Sequence, residues 1–111
     1  MIRVQYLKFE GYAVNDYIQE AFENYLIHGL PPGSFTTAVL ANDLYEACCR
    51  ADFQNRQCLG DIGRWVAQNC PQQARGSYEA VSEWCADRDG RRTRFAEPLL
   101  KARMWEKLQQ T

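Results

Sequence analysis

The run Gly29-Leu30-Pro31-Pro32-Gly33-Ser34-Phe35 interrupts the chain in a way that leaves few folds open. Two consecutive prolines cannot extend a preceding helix, because each lacks an amide and carries a ring that clashes with the turn before it. Gly33 permits a sharp change of direction, and Ser34 can accept a hydrogen bond from the free amides of a following helix. Beyond it, Phe35, Val39, Leu40, Leu44, Ala47, Cys48 and Ala51 keep helical spacing over 35–51. Asn42 and Asp43 break this stripe and compete with the backbone for hydrogen bonds, so the segment reads as one helix or as two short ones, the second capped by Asn42. Pro31, Pro32, Gly33, Ser34, Asn42 and Asp43 together form the structural motif of the chain.

Upstream, Tyr17, Ile18, Ala21, Phe22, Tyr25 and Leu26 predict a helix over 16–28, capped by Asn15 and ended by Gly29. Downstream, Asp52 caps a helix over 53–69 marked by Leu59, Ile62, Trp65 and Val66 and closed by Asn69 and Pro71. Gly76-Ser77 opens a further helix to about residue 86, with Val81, Trp84 and Cys85 inward. Residues 87–94 read as a polar loop, with Thr93 to Phe95 able to pair with an opening strand. Pro98 suits the first turn of a final helix with Leu100, Met104, Trp105 and Leu108 on one stripe. Ile2, Val4 and Tyr6 alternate with Arg3 and Gln5, which predicts a strand over 2–9. The expected fold is mainly α, a compact bundle of about five helices with a short N-terminal β-strand or ribbon. A chain of 111 residues buries one core without staples, so a single domain over 1–111 is expected, with its core at about 12–86 and a basic loop plus C-terminal helix at 87–111.

No apolar run approaches the ~18 residues of a membrane helix, and Met1-Ile2-Arg3-Val4-Gln5 lacks the apolar region of an export signal. A cytoplasmic place in a bacterial host cell, away from membranes, is the expectation. The five cysteines, Cys48, Cys49, Cys58, Cys70 and Cys85, are odd in number and read as free thiols that pack as small hydrophobes. Their one close pair is adjacent, which ill suits a tetrahedral ion, so no metal is expected. Adjacent helical positions point about 100° apart, which predicts one of Cys48 and Cys49 buried and the other partly exposed. A redox or metal role for Cys48, Cys49 and Cys58 stays as a reserve reading.

His28, the single histidine, has the side chain most used for proton transfer near neutrality, yet its place before Gly29 suits the negative end of a helix dipole. Asn42, Asp43 and Asp52 read first as helix caps. Trp84 and Trp105 read as core before interface. The net charge of −1 conceals a division: residues 87–111 carry seven basic against four acidic side chains, a net +3, and residues 1–86 carry a net −4. Arg88, Arg91, Arg92 and Arg94, with Lys101 and Arg103, are the candidate partner-binding residues, since clustered guanidinium groups hold carboxylates or phosphates with paired hydrogen bonds. No Walker loop, Gly-x-Gly-x-x-Gly, His-Glu-x-x-His or Gly-x-Ser-x-Gly is present. No catalytic residue, cofactor or enzymatic activity is expected.

The run from Gly29 to Leu44, of the form Gly-Leu-Pro-Pro-Gly-Ser-Phe-x-x-Ala-Val-Leu-x-Asn-Asp-Leu, is followed by Ala51-Asp52 and Asn55. It resembles small uncharacterised proteins of phages, prophages and mobile elements. The resemblance covers roughly residues 25–86, continuing through Ile62, Pro71, Gly76-Ser77 and Trp84. It implies a genomic setting, carries over no catalytic residue, and leaves the first twenty residues and the basic end outside it. By analogy with anti-CRISPR and other counter-defence proteins, the expected role is a non-enzymatic inhibitor or adaptor that docks on a host protein or ribonucleoprotein complex. The alternative is a small nucleic-acid-binding regulator using residues 88–94.

Overall fold

The computed structural model describes residues 6–109, with side chains to residue 104. Six α-helices follow one another: α1 (Asp16–His28), α2 (Ser34–Leu40), α3 (Leu44–Arg50), α4 (Phe53–Asn69), α5 (Tyr78–Ala86) and α6 (Arg91–Gln109), with a 3-10 turn at Gln72–Ala74 between α4 and α5. The architecture is all-α among the described residues.

The expected strand at 2–9 is corrected over its described part, residues 6–9. The amides of Tyr6 and Leu7 donate to the buried carboxylate of Glu23 on α1, at 2.9 and 2.7 Å, where a strand would need a second strand's carbonyls. Residues 2–5 lie outside the described range. Thr93 to Phe95, the suggested pairing partner, is helical. The segment from Tyr6 to Val14 is instead an irregular strap across α4: Lys8 O accepts from Trp65 Nε1 at 2.9 Å and the Ala13 amide donates to Asp61 at 2.7 Å. Tyr12 donates to Gln68 and lies under the Arg64 guanidinium.

The core forms around Trp65, which is 1% exposed. Its ring stacks on Phe9 at 4.5 Å and on Phe22 at 4.8 Å between centroids. Leu26, Leu40, Ile62 and Ala38 are buried with it, so one cluster joins the strap, α1, α2 and α4. Tyr25 and Trp84 extend this cluster to α5, and Phe95 of α6 meets Trp84 edge-on at 5.8 Å. Tyr25 donates its hydroxyl to Ala74 O at 2.7 Å, which satisfies the one polar atom its burial strands.

Several boundaries differ from expectation for local reasons. Gly33, not Ser34, occupies the cap position of α2, and Ser34 is its first helical residue. Asn42 adopts the left-handed conformation (φ 62°), which turns the chain between α2 and α3, and Asp43 rather than Asn42 caps α3 by accepting from the Glu46 amide at 3.2 Å. Asn15 holds the cap position of α1, but its Nδ2 donates to Asn55 Oδ1 at 3.1 Å and its Oδ1 accepts from no helix amide. Gly29 ends α1 at φ 70°, and Asp52 and Ser77 cap α4 and α5 as expected. The expected loop at 87–94 gives way to helix from Arg91, because Asp87 accepts from the Arg92 amide at 2.9 Å and the Thr93 hydroxyl at 2.5 Å. Pro98 therefore lies inside α6, on its exposed side where water can take the carbonyl that loses an amide, and Met104 of the expected apolar stripe is exposed. The side chains of Trp105 and Leu108 fall outside the described ones.

These caps set an acid limit to stability. The Tyr78 hydroxyl holds the Asp43 carboxyl below its usual range, the Tyr17 hydroxyl does so for Asp52, and the Thr93 hydroxyl for Asp87. A lowered folded-state value adds stability that is complete above the unfolded carboxyl's value of about 3.9 and fades as pH falls through the lowered one. Burial acts at the alkaline end: it pushes the Cys70 thiol up to about 12 and also raises the Tyr25 hydroxyl. A raised value adds stability that is complete below the unfolded thiol's value of about 8.5 and is lost above it. Melting followed by circular dichroism is expected to be flat from about pH 5 to 8 and to fall below about pH 4 and above about pH 9. A melting temperature that climbs steadily into acid contradicts these roles.

Candidate docking surface

Helix α3 turns its apolar side outward. Of its seven residues only Ala47 is buried. At about 100° per residue, Tyr45 and Cys49 lie opposite Ala47, Leu44 and Cys48 lie on one flank, and Glu46 and Arg50 on the other. Tyr45 is 85% exposed, Leu44 64%, and Phe53, at the start of α4, 69%. The charged pair closes on itself, Arg50 Nε to Glu46 Oε1 at 2.6 Å, and so leaves the apolar face uncovered. An amphipathic surface helix has the reverse arrangement, and burying each of these large side chains is worth about 1.5–3 kcal/mol that the isolated chain forgoes. Large apolar side chains exposed in this way along one short segment point to an interaction surface.

The face is held in place at both ends. Asp43 accepts from the Glu46 amide and, at 2.6 Å, from the Tyr78 hydroxyl of α5, a bond that pushes the Tyr78 hydroxyl up to about 12. Asp52 accepts from the Asn55 amide at 2.8 Å and from the Tyr17 hydroxyl of α1 at 2.5 Å. Beside α3 a hollow of about 120 Å³ opens between α2, α3 and α4, lined chiefly by Val39, Leu44, Ala47, Leu59 and Gly63, with Asn42 at its edge. A second hollow of about 210 Å³ continues past Asn42 and Gly63 to Arg75 and Gly76. A methyl group added at Gly63 would meet nothing within 4 Å, so α4 presents bare backbone to this groove there.

Of the apolar stripe expected over 35–51, Leu44 and Cys48 are exposed. Cys48 and Cys49 are both exposed free thiols, where one was expected buried, because a helix with a single buried residue has no second inward position to offer. Cys58 and Cys85 are half-buried and Cys70 buried. His28 is exposed in the last turn of α1, its ring edge-on to Tyr6 at 6.5 Å. Among the described residues no group of three or more His, Cys, Asp or Glu side chains stands close enough to hold a metal ion, and no helix is long and apolar enough to cross a membrane. A cleft of about 630 Å³ opens between residues 6–10 and Leu99, Ala102 and Arg103 of α6.

The arginines gather around the α5–α6 junction with their own partners. Arg88 pairs with Glu83 at 3.0 Å, Arg91 with Asp89 at 2.6 Å, and Lys101 with Glu97 at 2.7 Å. Arg94 donates to the Asp89 carbonyl at 3.0 Å. Arg92 turns inward, donating to Ile27 O at 3.3 Å and Trp84 O at 3.2 Å, and thus ties the open carbonyl ends of α1 and α5 together. Arg103 is half-buried on α6. The exposed pairs are each worth at most about 1 kcal/mol, so they release their guanidinium groups cheaply, but the acids between them leave the local field close to balanced.

No family model, curated protein or solved structure matches the chain. Tyr45, Phe53 and Gly63, which shape the exposed face and its groove, went unmarked by sequence motifs. The signal available was the flanking of Ala47 by apolar residues on every side but that of Glu46 and Arg50, which leaves a short helix one narrow polar flank to show to water.

Proposed function

We propose that this chain is a non-enzymatic accessory protein of a phage or mobile element that acts by binding a host protein or ribonucleoprotein complex, in the manner of a counter-defence inhibitor. The observation that carries the reading is the outward apolar face of α3, with Leu44 and Tyr45 exposed on a helix fixed at both ends and Phe53 exposed at the start of α4. The phage setting rests on the Gly29-to-Leu44 resemblance. Arg88, Arg91, Arg94 and Lys101, at the α5–α6 junction, offer such a partner a second patch of paired charges, while Arg92 serves the fold. Interleaving with Glu83, Asp87, Asp89 and Glu97 favours a protein partner over a phosphate backbone, whose recognition needs unopposed positive charge.

The immobilised chain is expected to retain protein from a host lysate through nuclease treatment and a wash at about 0.5 M salt, because apolar contacts are not screened. Retention of nucleic acid alone, lost in that wash and on changing Arg88, Arg91 and Arg94 to alanine, would assign the chain to nucleic-acid regulation instead. Turnover of a small substrate by the purified chain would also contradict the proposal.

A further inference from the structure

We infer that the groove between α2, α3 and α4 takes an extended segment of a partner protein, with an aliphatic side chain in the hollow beside α3 and a glutamate in the hollow that ends at Arg75. This rests on reading α3 and its surroundings as a docking surface and adds the chemistry of what docks there. The two hollows are neighbours and share Val39, Asn42 and Gly63 in their walls. In an extended chain alternate side chains leave the same face about 6.5 Å apart, so residues i and i+2 enter adjoining hollows. The first hollow, of about 120 Å³, is walled by Ala38, Leu44, Ala47 and Leu59. It is smaller than the roughly 150 Å³ that takes a benzene ring, and it suits a branched aliphatic side chain rather than an aromatic one.

The second hollow, of about 210 Å³, has apolar walls from Leu40, Val66 and Ala67, and Arg75 adds a charge to them. The Arg75 guanidinium donates to Cys70 O at 3.3 Å and to Ala67 O at 3.4 Å, which fixes it at the end of α4 without neutralising it. Its other N–H groups have no partner among the described residues, and no described carboxylate pairs with it, in contrast to Arg88, Arg91 and Lys101. A glutamate side chain suits both features: its methylenes cover the apolar wall and its carboxylate accepts a charge-assisted hydrogen bond. One guanidinium favours a carboxylate over a phosphate, whose recognition on proteins draws on clustered arginines. Asn42 stands exposed where the hollows meet, its side-chain amide bonded to no described residue. That amide carries one acceptor and one donor group, the complement of the free C=O and N–H of an extended segment, which a helix has already spent on itself. Asp43 lines the first hollow and repels a second carboxylate there, so the two hollows accept different residues.

Selection from a random peptide library displayed on phage, against the immobilised full chain, tests this. Selected sequences should share Leu, Ile or Val and Glu at alternate positions. A selected peptide should bind about tenfold more weakly when its Glu becomes Gln, the loss expected for one hydrogen bond to a charged group. Arg75→Gln in the protein should cause the same loss, with little more when both changes are combined. Gly63→Leu fills the shared wall from a helical position where a Cβ meets nothing. It should abolish binding and melt no lower than wild type, because glycine is the poorer helix former. A library that yields no shared pattern overturns the inference, as does binding indifferent to Arg75→Gln or to Gly63→Leu. If the Gly63→Leu chain still retains a host protein through Tyr45, the groove inference fails and the docking surface survives. An Arg75-dependent peptide pattern from a chain that retains no host protein supports the groove and removes the host partner.

Discussion

Trp65→Ala is expected to cost about 3–5 kcal/mol, the usual range for removing a large aromatic side chain from a core. Trp65 is 1% exposed, its ring lies against both Phe9 and Phe22, and its Nε1 holds the Lys8 carbonyl at 2.9 Å. Truncation thus removes the element that joins the strap, α1 and α4, leaves a cavity, and strips Lys8 O of its donor. Against a total stability of about 5–15 kcal/mol, a fifth or more of the margin is lost. Urea denaturation followed by tryptophan fluorescence and circular dichroism reads this directly. A loss under about 1 kcal/mol would mean that the stack is not the centre of the core. Tyr45→Asp is the contrast: at 85% exposure it should change stability by no more than about 0.5 kcal/mol.

Gly29→Ala should be the next most damaging change, for two separable reasons. The residue ends α1 at φ 70°, where a side chain costs roughly 1–2 kcal/mol. Its Cβ would also stand 2.6 Å from the Arg92 guanidinium carbon, which must then release the Ile27 and Trp84 carbonyls. A total loss of about 2–4 kcal/mol is expected, combining the backbone strain with the broken hydrogen bonds. In an Arg92→Ala background the second part has already been lost, so the same substitution should cost only the first. Denaturation of the two single variants and the double variant measures this coupling. Additive losses would show that Arg92 does not clamp the two helix ends.

Periodicity located α1 and α4 because each buries a continuous stripe against the same aromatic stack, and caps at Asp52 and Ser77 announce themselves by residue type. It failed where a tertiary partner outbid a local preference. The alternating residues before Phe9 look like a strand, but a strand needs a neighbour, and Glu23 from α1 reached the described amides first. Asn42 and Asp43 marked the break between α2 and α3 without telling which of them turns the chain and which caps. The apolar spacing through Leu44 and Cys48 carries no sign: it identifies a face, and only the position of the rest of the core decides whether that face is buried or presented. For the same reason the basic run between residues 88 and 94 suggested a loop for binding, whereas hydrogen bonds to Asp87 start α6 there and one of its arginines becomes structural.

Comparing what a host lysate leaves on the wild-type chain and on Tyr45→Asp, quantified by mass spectrometry, tests the role of the α3 face most directly. At least one protein should fall by tenfold or more on the variant, corresponding to about 1.4 kcal/mol or more of lost contact, while the variant melts like wild type. Identical retained proteins on two equally stable chains would contradict a docking role for this face.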